Sequence, residues 1–267
     1  SAASDVYKRQ VFALCFGAAL VYIGPQAETL LRLLEGLLAA SLAIIGFAMH
    51  LAPYGVACLV FAMTSRLGGE LLLSLIGFVA TVLAGLALQL GVVYPLFLIL
   101  VGRRAPGAFF RGIWDAVLVA FGTSSSNATL PTSLRVAADH LQIPPPIARF
   151  VLTVGATGNQ NGTALYEGVV VLFLAQVFGV ELTIAQQVMV MLMALLAGVG
   201  TAGVPGGSMP MIVVVLQSVG VPGESIAIIL GIDRILDMCR TVLNVTGDLA
   251  IAACVARHAV CLDSTPT

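Results

Sequence analysis

Residues 81–101 read TVLAGLALQLGVVYPLFLILV and carry no charge. A helix of about 20 apolar residues spans the hydrocarbon core of a bilayer. Lipid offers no hydrogen-bond partners, so a spanning segment satisfies its own backbone as a helix or belongs to a closed barrel. The alternating segments of a barrel are absent from this sequence. Composition points the same way. Hydrophobic residues make up 59% of the chain and charged residues 9%, against about 25% charged in ordinary soluble domains. The expected fold class is therefore an all-α integral membrane protein, multi-pass in a cell membrane (inner or plasma). The net charge is −1 with no basic run, so nothing points to nucleic acid or anionic lipid, and no nucleic-acid partner is expected. Cys15, Cys58, Cys239, Cys254 and Cys261 show no paired spacing and read as small apolar residues.

The first ten residues, SAASDVYKRQ, do not fit the apolar run after them. They lack the order of a secretory signal and look like a translated sequencing adaptor. We read residues 1–10 as a non-native adaptor scar, with the natural chain beginning further upstream. Residues 11–23 are apolar but too short for a span, as at the end of a truncated helix. Residues 25–63 read as one long, tilted or kinked helix, or as a surface helix leading into a span. A turn is expected over residues 65–70 from Gly68 and Gly69, and the clearest span over 71–101. Residues 102–112 carry three arginines and read as a cytoplasmic loop.

Two later regions break the pattern of full-length spans. The apolar run 113–121 is nine residues long, too short to cross, and is followed by GTSSSNATLP and a helix ending near His140. The runs 186–200 and 211–219 flank GTAGVPGGSMP. Each reads as a re-entrant hairpin with a small-residue tip, tolerated where protein covers it. Between them lie a turn over 142–149 and a span that GNQNG interrupts, ending near Gly179. That single span puts the hairpins on opposite membrane faces. Residues 226–257 form the last helix. Paired broken segments of this kind point to a transporter's binding site near the midplane.

The last helix carries the strongest signal, DRILDMCRTVLNVTGD, residues 233–248. At about 100° per residue, Asp233, Arg234, Asp237, Arg240, Thr241, Asn244 and Asp248 fall within an arc of about 120°. A charge at the bilayer centre costs at least ~2.5–3.5 kcal/mol. A stripe with three acids and two arginines needs one another, an ion or a charged ligand as partners. In GNQNGTALYEG, residues 158–168, Gly158 and Gly162 each weaken the helix by about 1 kcal/mol relative to alanine. Unwinding frees carbonyls, and a cation suits them. Asn159, Asn161 and Thr163 add side-chain oxygens. The serine-rich tip, residues 124–127, begins a half-helix whose free N–H groups suit a carboxylate. The glycine-rich tip, residues 203–207, reads as a lid. Glu167, one turn past Thr163, either carries a proton or sits in a polar seam. His50, His140 and His258 show no mutual metal spacing.

The segments TSSSNATLP, GATGNQNGTALYEG, GTAGVPG and DMCRTVLNVTGD, in this order and spacing, resemble those of the dicarboxylate/amino acid:cation symporters, the glutamate transporter family. The resemblance runs from about residue 11 to 258. It implies a glutamate-transporter-like elevator fold with two re-entrant helical hairpins and an unwound transmembrane helix, assembled as a homotrimer in the lipid bilayer. On that pattern, residues 11–103 are partial scaffold and transmembrane helices: the end of the fourth, the fifth and the sixth. Residues 104–258 are the transport domain, with hairpin 1 about 105–140, the seventh helix about 145–179, hairpin 2 about 184–222 and the eighth helix about 226–257. Residues 259–267 are a tail.

The resemblance also implies roles. Arg240 binds the side-chain carboxylate of an acidic substrate, L-aspartate or L-glutamate, and Thr163 lies near that group. Asp237 binds the substrate ammonium, with Thr241 helping. Asn244 with the Ser125–Ser126 region holds the main-chain carboxylate, and Val204 and Gly206 of the second tip close over it. Gly155, Asn159, Asn244 and Asp248 match one sodium site; Thr157 with backbone oxygens of Gly198, Val199 and Thr201 matches a second. The family usually reads N-M-D-G-T where this chain reads Asn159-Gln160-Asn161-Gly162-Thr163. Asn161 thus replaces an aspartate of a third sodium site and weakens it. Ser124 and Met238 stand where members tend to place one further arginine. Glu167 matches a glutamate used for proton coupling, so H+ stands beside Na+ as a coupling ion. The expectation is a secondary symporter and not an enzyme. The alternatives are a C4-dicarboxylate or neutral amino acid:cation symporter of the same family, disfavoured by Asp237 and Arg240 respectively, or a substrate-gated anion channel.

Overall fold

The structure is a computed structural model that describes residue 12 and residues 15–67, 69–201 and 203–263. The adaptor-like residues 1–10, Ala202 of the second tip and the last four residues of the tail lie outside the described residues, as does the side chain of His50. All regular elements among the described residues are helical. The chain divides after residue 62 into two units.

In the first unit, residues 15–23 are helical and a 3-10 turn, Gly24–Ala27, has Pro25 in its first turn. It leads into helix α1, Glu28–Leu67, whose last residues already belong to the second unit. α1 runs unbroken through position 53, where proline stands. Its 40 residues make it about 60 Å long, twice the ~30 Å hydrocarbon core. The turn expected over 65–70 is a shorter break. The helix reaches Leu67, α2 starts at Gly69, and residue 68 lies outside the described residues.

The second unit opens with α2, Gly69–Leu88, a π-helical turn, Gln89–Val93, α3, Tyr94–Phe97, and a second π turn, Leu98–Gly102. Together they form one continuous rod. Among the described residues, Leu73–Gly102 is the one stretch long and apolar enough to cross a membrane. The first π turn has a local cause. Pro95 has no N–H to give the ladder, and just before it the Tyr94 N–H reaches five residues back to the Gln89 carbonyl. The rod ends where Arg103 adopts a left-handed conformation, φ 46°.

The loop expected over 102–112 is non-helical only at 103–105. α4, Pro106–Gly112, takes the rest, because a proline in the first turn of a helix needs no N–H partner. Ile113 distorts the backbone, and α5, Trp114–Thr123, continues. The first short limb is therefore longer than its nine-residue apolar run. α6, Ser126–Asp139, returns from the serine-rich tip. The turn expected over 142–149 ends at Pro144, the N-cap of α7, Pro145–Gly158, again with proline in the first turn. α8, Asn161–Val177, follows a two-residue break. α9, Ile184–Gly200, opens with a capping box in which Thr183 and Gln186 satisfy each other's backbone amides. α10, Met209–Ser218, and α11, Ala227–Asp263, complete the chain. α11 runs six residues beyond the expected end at 257.

α11 is the central element and packs against α5, α6, α7, α8 and α2. Its Ala250, Ala252, Ala253 and Ala256 meet a core that includes Ala116 and Ala120 of α5, all buried. Small residues let helix backbones approach closely, which is how helices gain contact where lipid supplies no hydrophobic drive. Outward faces carry Trp114, Leu118 and Phe121 on α5 and Met189, Leu192, Leu195 and Leu196 on α9, all exposed. These exposed apolar faces suit a lipid solvent, while the ionisable Asp233, Asp237, Arg240 and Asp248 of α11 are buried within the protein.

Candidate functional site

The interruption between α7 and α8 consists of Asn159 (φ −107°, ψ 72°) and Gln160 (φ −100°, ψ 53°). Three consecutive amide side chains tie it to three places. Asn159 Nδ2 donates to Asp248 Oδ1 at 2.7 Å. Gln160 Nε2 donates to the Ala156 carbonyl at 3.0 Å, and its Oε1 accepts from Asn244 Nδ2 at 2.6 Å. Asn161 Nδ2 donates to Tyr94 Oη at 2.7 Å, and that hydroxyl donates to the Leu243 carbonyl at 3.0 Å. The Gly162 N–H donates to Asn244 Oδ1 at 2.7 Å. Two glycines make this approach of α7 and α8 to α11 possible. A Cβ on Gly162 would lie 2.8 Å from the Arg240 carbonyl oxygen, and one on Gly155 would collide with the Asp248 carboxylate.

Both tips reach the break. Ser124 turns the chain in a left-handed conformation, φ 52°. Ser125 caps α6 by accepting from the Ala128 N–H at 3.1 Å, and its hydroxyl donates to the Gly203 carbonyl at 2.7 Å. The Asn127 N–H donates to the same carbonyl at 3.1 Å. Of the amides of residues 124–127, offered from sequence to a ligand carboxylate, those of Ser124, Ser125 and Asn127 are bonded within the protein, to the Ala120 carbonyl, Thr123 Oγ1 and the Gly203 carbonyl of the second tip. The Ser125 hydroxyl is spent on capping and tip contact.

Arg240 is the largest fully buried side chain among the described residues, 1% exposed. Its Nη2 donates to Asp237 Oδ1 at 2.8 Å and to Asp233 Oδ1 at 3.1 Å. Its Nη1 donates to Ser208 Oγ at 3.3 Å, and the guanidinium lies 3.8 Å above the Tyr166 ring. A guanidinium over an aromatic face gains from the ring quadrupole, most where water is absent. Asp237 Oδ2 accepts the Gly206 N–H at 3.1 Å, tying the second tip to α11. Thr241 donates to the Asp237 carbonyl at 2.9 Å.

Ser126, Thr163, Val204, Asp237, Thr241 and Asn244, all named from sequence for a substrate, line one cavity of about 10 Å³. That is room for about one water. Gln160, Thr201 and Ser208 share its wall. Arg240 lies behind Asp237 and Ser208, and Ser125 and Gly206 border the tips.

Of the two cation sets, the first is brought together: Asn159 bonds Asp248, whose carboxylate packs on Gly155, with Asn244 one turn away on α11. Its oxygens suit a hard cation. In the second, the Thr157 hydroxyl is exposed and bonds the Val154 carbonyl of its own helix at 3.1 Å. The Thr201 N–H donates to the Gly198 carbonyl at 3.3 Å, and the Val199 side chain points outward, 63% exposed. Among the described residues, no cluster of three His, Cys, Asp or Glu is placed to hold a metal. Glu167 is fully buried; Oε1 accepts from Thr201 Oγ1 at 3.4 Å and Oε2 has no partner. His258 bonds the Cys254 carbonyl and His140 is exposed, both away from this site.

Sequence reasoning left Tyr94, Tyr166, Ser208 and Gln160 without roles. Tyr94 had one local signal, its place before Pro95 in an otherwise greasy run. The others lie in stretches that drew attention, GNQNGTALYEG and GTAGVPGGSMP, but their partners Asn244 and Arg240 are far along the chain.

The family described as "Sodium:dicarboxylate symporter family" matches residues 2–258. Excitatory amino acid transporter 3 of Mus musculus is 38% identical over 239 residues, covering 89% of this chain and 46% of the relative. Excitatory amino acid transporter 4 of Rattus norvegicus is 39% identical over 254 residues, covering 93% and 44%. Excitatory amino acid transporter 1 of Homo sapiens is 35% identical over 254 residues, covering 93% and 46%. The chain spans about half the length of the curated relatives it matches.

Proposed function

The chain belongs to the sodium:dicarboxylate symporter family, and from that premise we propose that it carries the substrate and ion sites of a secondary symporter importing L-aspartate or L-glutamate with sodium. The relatives are transporters by name, so the reading is transport and not catalysis.

One observation carries it: a buried guanidinium and a carboxylate, Arg240 and Asp237, stand 2.8 Å apart where both tips and the helix break converge. An acidic amino acid presents a carboxylate to Arg240, an ammonium to Asp237 and a second carboxylate to Asn244 and the Ser126 region. Its entry exchanges the internal ion pair for two ligand pairs. Neither charge is then left bare, an omission that costs about 3–5 kcal/mol in a buried pair. Asp237 favours a substrate with an amine over a plain dicarboxylate. A cavity of about 10 Å³ does not hold an amino acid, so admission requires the tip 203–207 to withdraw and release the Gly206–Asp237 bond. Gly206, φ 70°, supports such a turn.

Sodium is held in this reading by Asp248 with oxygens of Gly155, Asn159 and Asn244. A second ion is held by Thr157, once it leaves Val154, with carbonyls of Gly198, Val199 and Thr201. It supplies charge balance and drives uptake down its gradient. Asn161 carries no charge and its Oδ1 accepts from the Gly162 N–H at 3.0 Å, so a third sodium is not included. Glu167, with a free buried oxygen, is the proton candidate. The pairs α5–α6 and α9–α10 act as re-entrant hairpins, moving with α7, α8 and α11 as a transport domain in an elevator motion within a homotrimer in the plasma or inner membrane. The short apolar limbs and the meeting tips support that part.

The test is equilibrium binding of radiolabelled L-aspartate to the purified protein, with and without sodium. Sodium-dependent binding that Arg240→Ala abolishes is expected. Binding unchanged by that substitution overturns the assignment.

A further inference from the structure

Gln160 is the one residue of the break to which no role attaches. It is 5% exposed and borders the cavity beside Thr163 and Asn244. Its environment sets the sense of its carboxamide. The last backbone bond of α7 runs from the Asn159 N–H to the Gly155 carbonyl, and the next carbonyl, Ala156, is met by Gln160 Nε2 at 3.0 Å. A carbonyl only accepts, so the nitrogen of Gln160 faces Ala156 and its oxygen faces Asn244.

The same reasoning orients Asn244. The Gly162 N–H, which only donates, takes Asn244 Oδ1 at 2.7 Å. Asn244 Nδ2 therefore lies on the other side, donating to Gln160 Oε1 at 2.6 Å and to Thr163 Oγ1 at 3.2 Å. Reversing either amide would set oxygen against oxygen or nitrogen against nitrogen at two contacts. The two carboxamides and the two backbone groups thus form a chain with one allowed polarity. Of the two bonds from Asn244 Nδ2, that to Gln160 is short and that to Thr163 is long.

We propose that Gln160 is a positioning residue: it holds the Asn244 amide with its nitrogen toward the cavity, so that the N–H now on Thr163 is free to pass to a ligand carboxylate. This rests on the reading of the cavity as a carboxylate-binding site. Gln160 acts through Asn244 and needs no contact with the ligand. A side chain of similar length without an acceptor leaves one Asn244 N–H unpaired. It also leaves the amide pinned only at its oxygen, so orienting the donor becomes a cost of binding.

Calorimetric titration of the purified protein with L-aspartate in saturating sodium tests this. Gln160→Met, of similar length and with no acceptor for Asn244, is expected to weaken binding about tenfold. Equal affinity in Gln160→Met overturns the proposal. Solid-state NMR of the unaltered protein, with labelled side-chain amides, reads the bond without any variant and stands in where a variant fails to fold. A correlation between the Asn244 Nδ2 proton and the Gln160 carboxamide carbon is expected, and its absence overturns the proposal. An unaltered protein that binds no L-aspartate overturns the site reading and this proposal with it, whereas binding that ignores Gln160→Met overturns this proposal alone.

Discussion

Asn159 and Asp248 lie 89 residues apart in the chain and 2.7 Å apart in space, the amide of the helix break donating to the carboxylate of the last helix. The carboxylate lies against Gly155, at a distance that admits no Cβ. If this corner holds sodium, Asp248 supplies its charge. Asp248→Asn keeps the size and removes that charge. The sodium concentration giving half-maximal L-aspartate binding is expected to rise about tenfold or more, equivalent to ~1.4 kcal/mol. An unchanged sodium titration would remove Asp248 from the ion site.

Gly162 is a packing requirement as much as a helix breaker. An added Cβ meets the Arg240 carbonyl at 2.8 Å and the Leu243 Cβ at 3.1 Å. Overpacking of this kind costs about 1–3 kcal/mol, more than the ~1 kcal/mol that alanine gains in a helix over glycine. Gly162→Ala is expected to lower the thermal unfolding midpoint in detergent. A raised midpoint would show that α8 and α11 have room to part.

Tyr94 links the π-distorted rod to the break, accepting from Asn161 and donating to Leu243. Tyr94→Phe removes both bonds and is expected to destabilise by about 1–3 kcal/mol through the groups left unpaired. A double-mutant cycle with Asn161→Ala should give a coupling of about 0.5–3 kcal/mol. Additive effects would mean that the contact contributes nothing.

Ser125 joins the tips through one hydroxyl that also caps α6. Ser125→Ala is expected to cost about 0.5–2 kcal/mol, the range for a lost N-cap. The more specific expectation is faster hydrogen exchange at the Asn127 and Ala128 amides and at residues 203–207, read by mass spectrometry. Exchange faster at Ala128 alone would assign the hydroxyl to capping and leave the tips independent.

The sequence by itself determined what is local. Apolar runs of spanning or sub-spanning length, the polar arc from Asp233 to Asp248, and the glycine-flanked amides at 158–162 follow from hydropathy, helical period and backbone propensity. Those properties belong to neighbouring residues. Hydropathy alone reads Pro106 and Pro145 as loop, whereas the resemblance starts helical segments near 105 and 145; both prolines begin helices, because the first turn needs no N–H from them. The π turn before Tyr94 has Pro95 as its local signal, and the one before Arg103 has none, since a π turn shifts backbone hydrogen bonds and changes no side chain. The resemblance named Arg240 and Asp237 as ligand groups. Only the packed structure shows that they pair with each other, that Arg240 also pairs with Asp233, and that Asp237 accepts from the tip at Gly206. It also brought Ser125 to Gly203, 78 residues away, and Tyr94 to Leu243, 149 away. Such pairings depend on which helix faces pack together. An amide or hydroxyl in a greasy helix announces that it needs a partner, but only the packed helices determine which partner lies within about 3 Å.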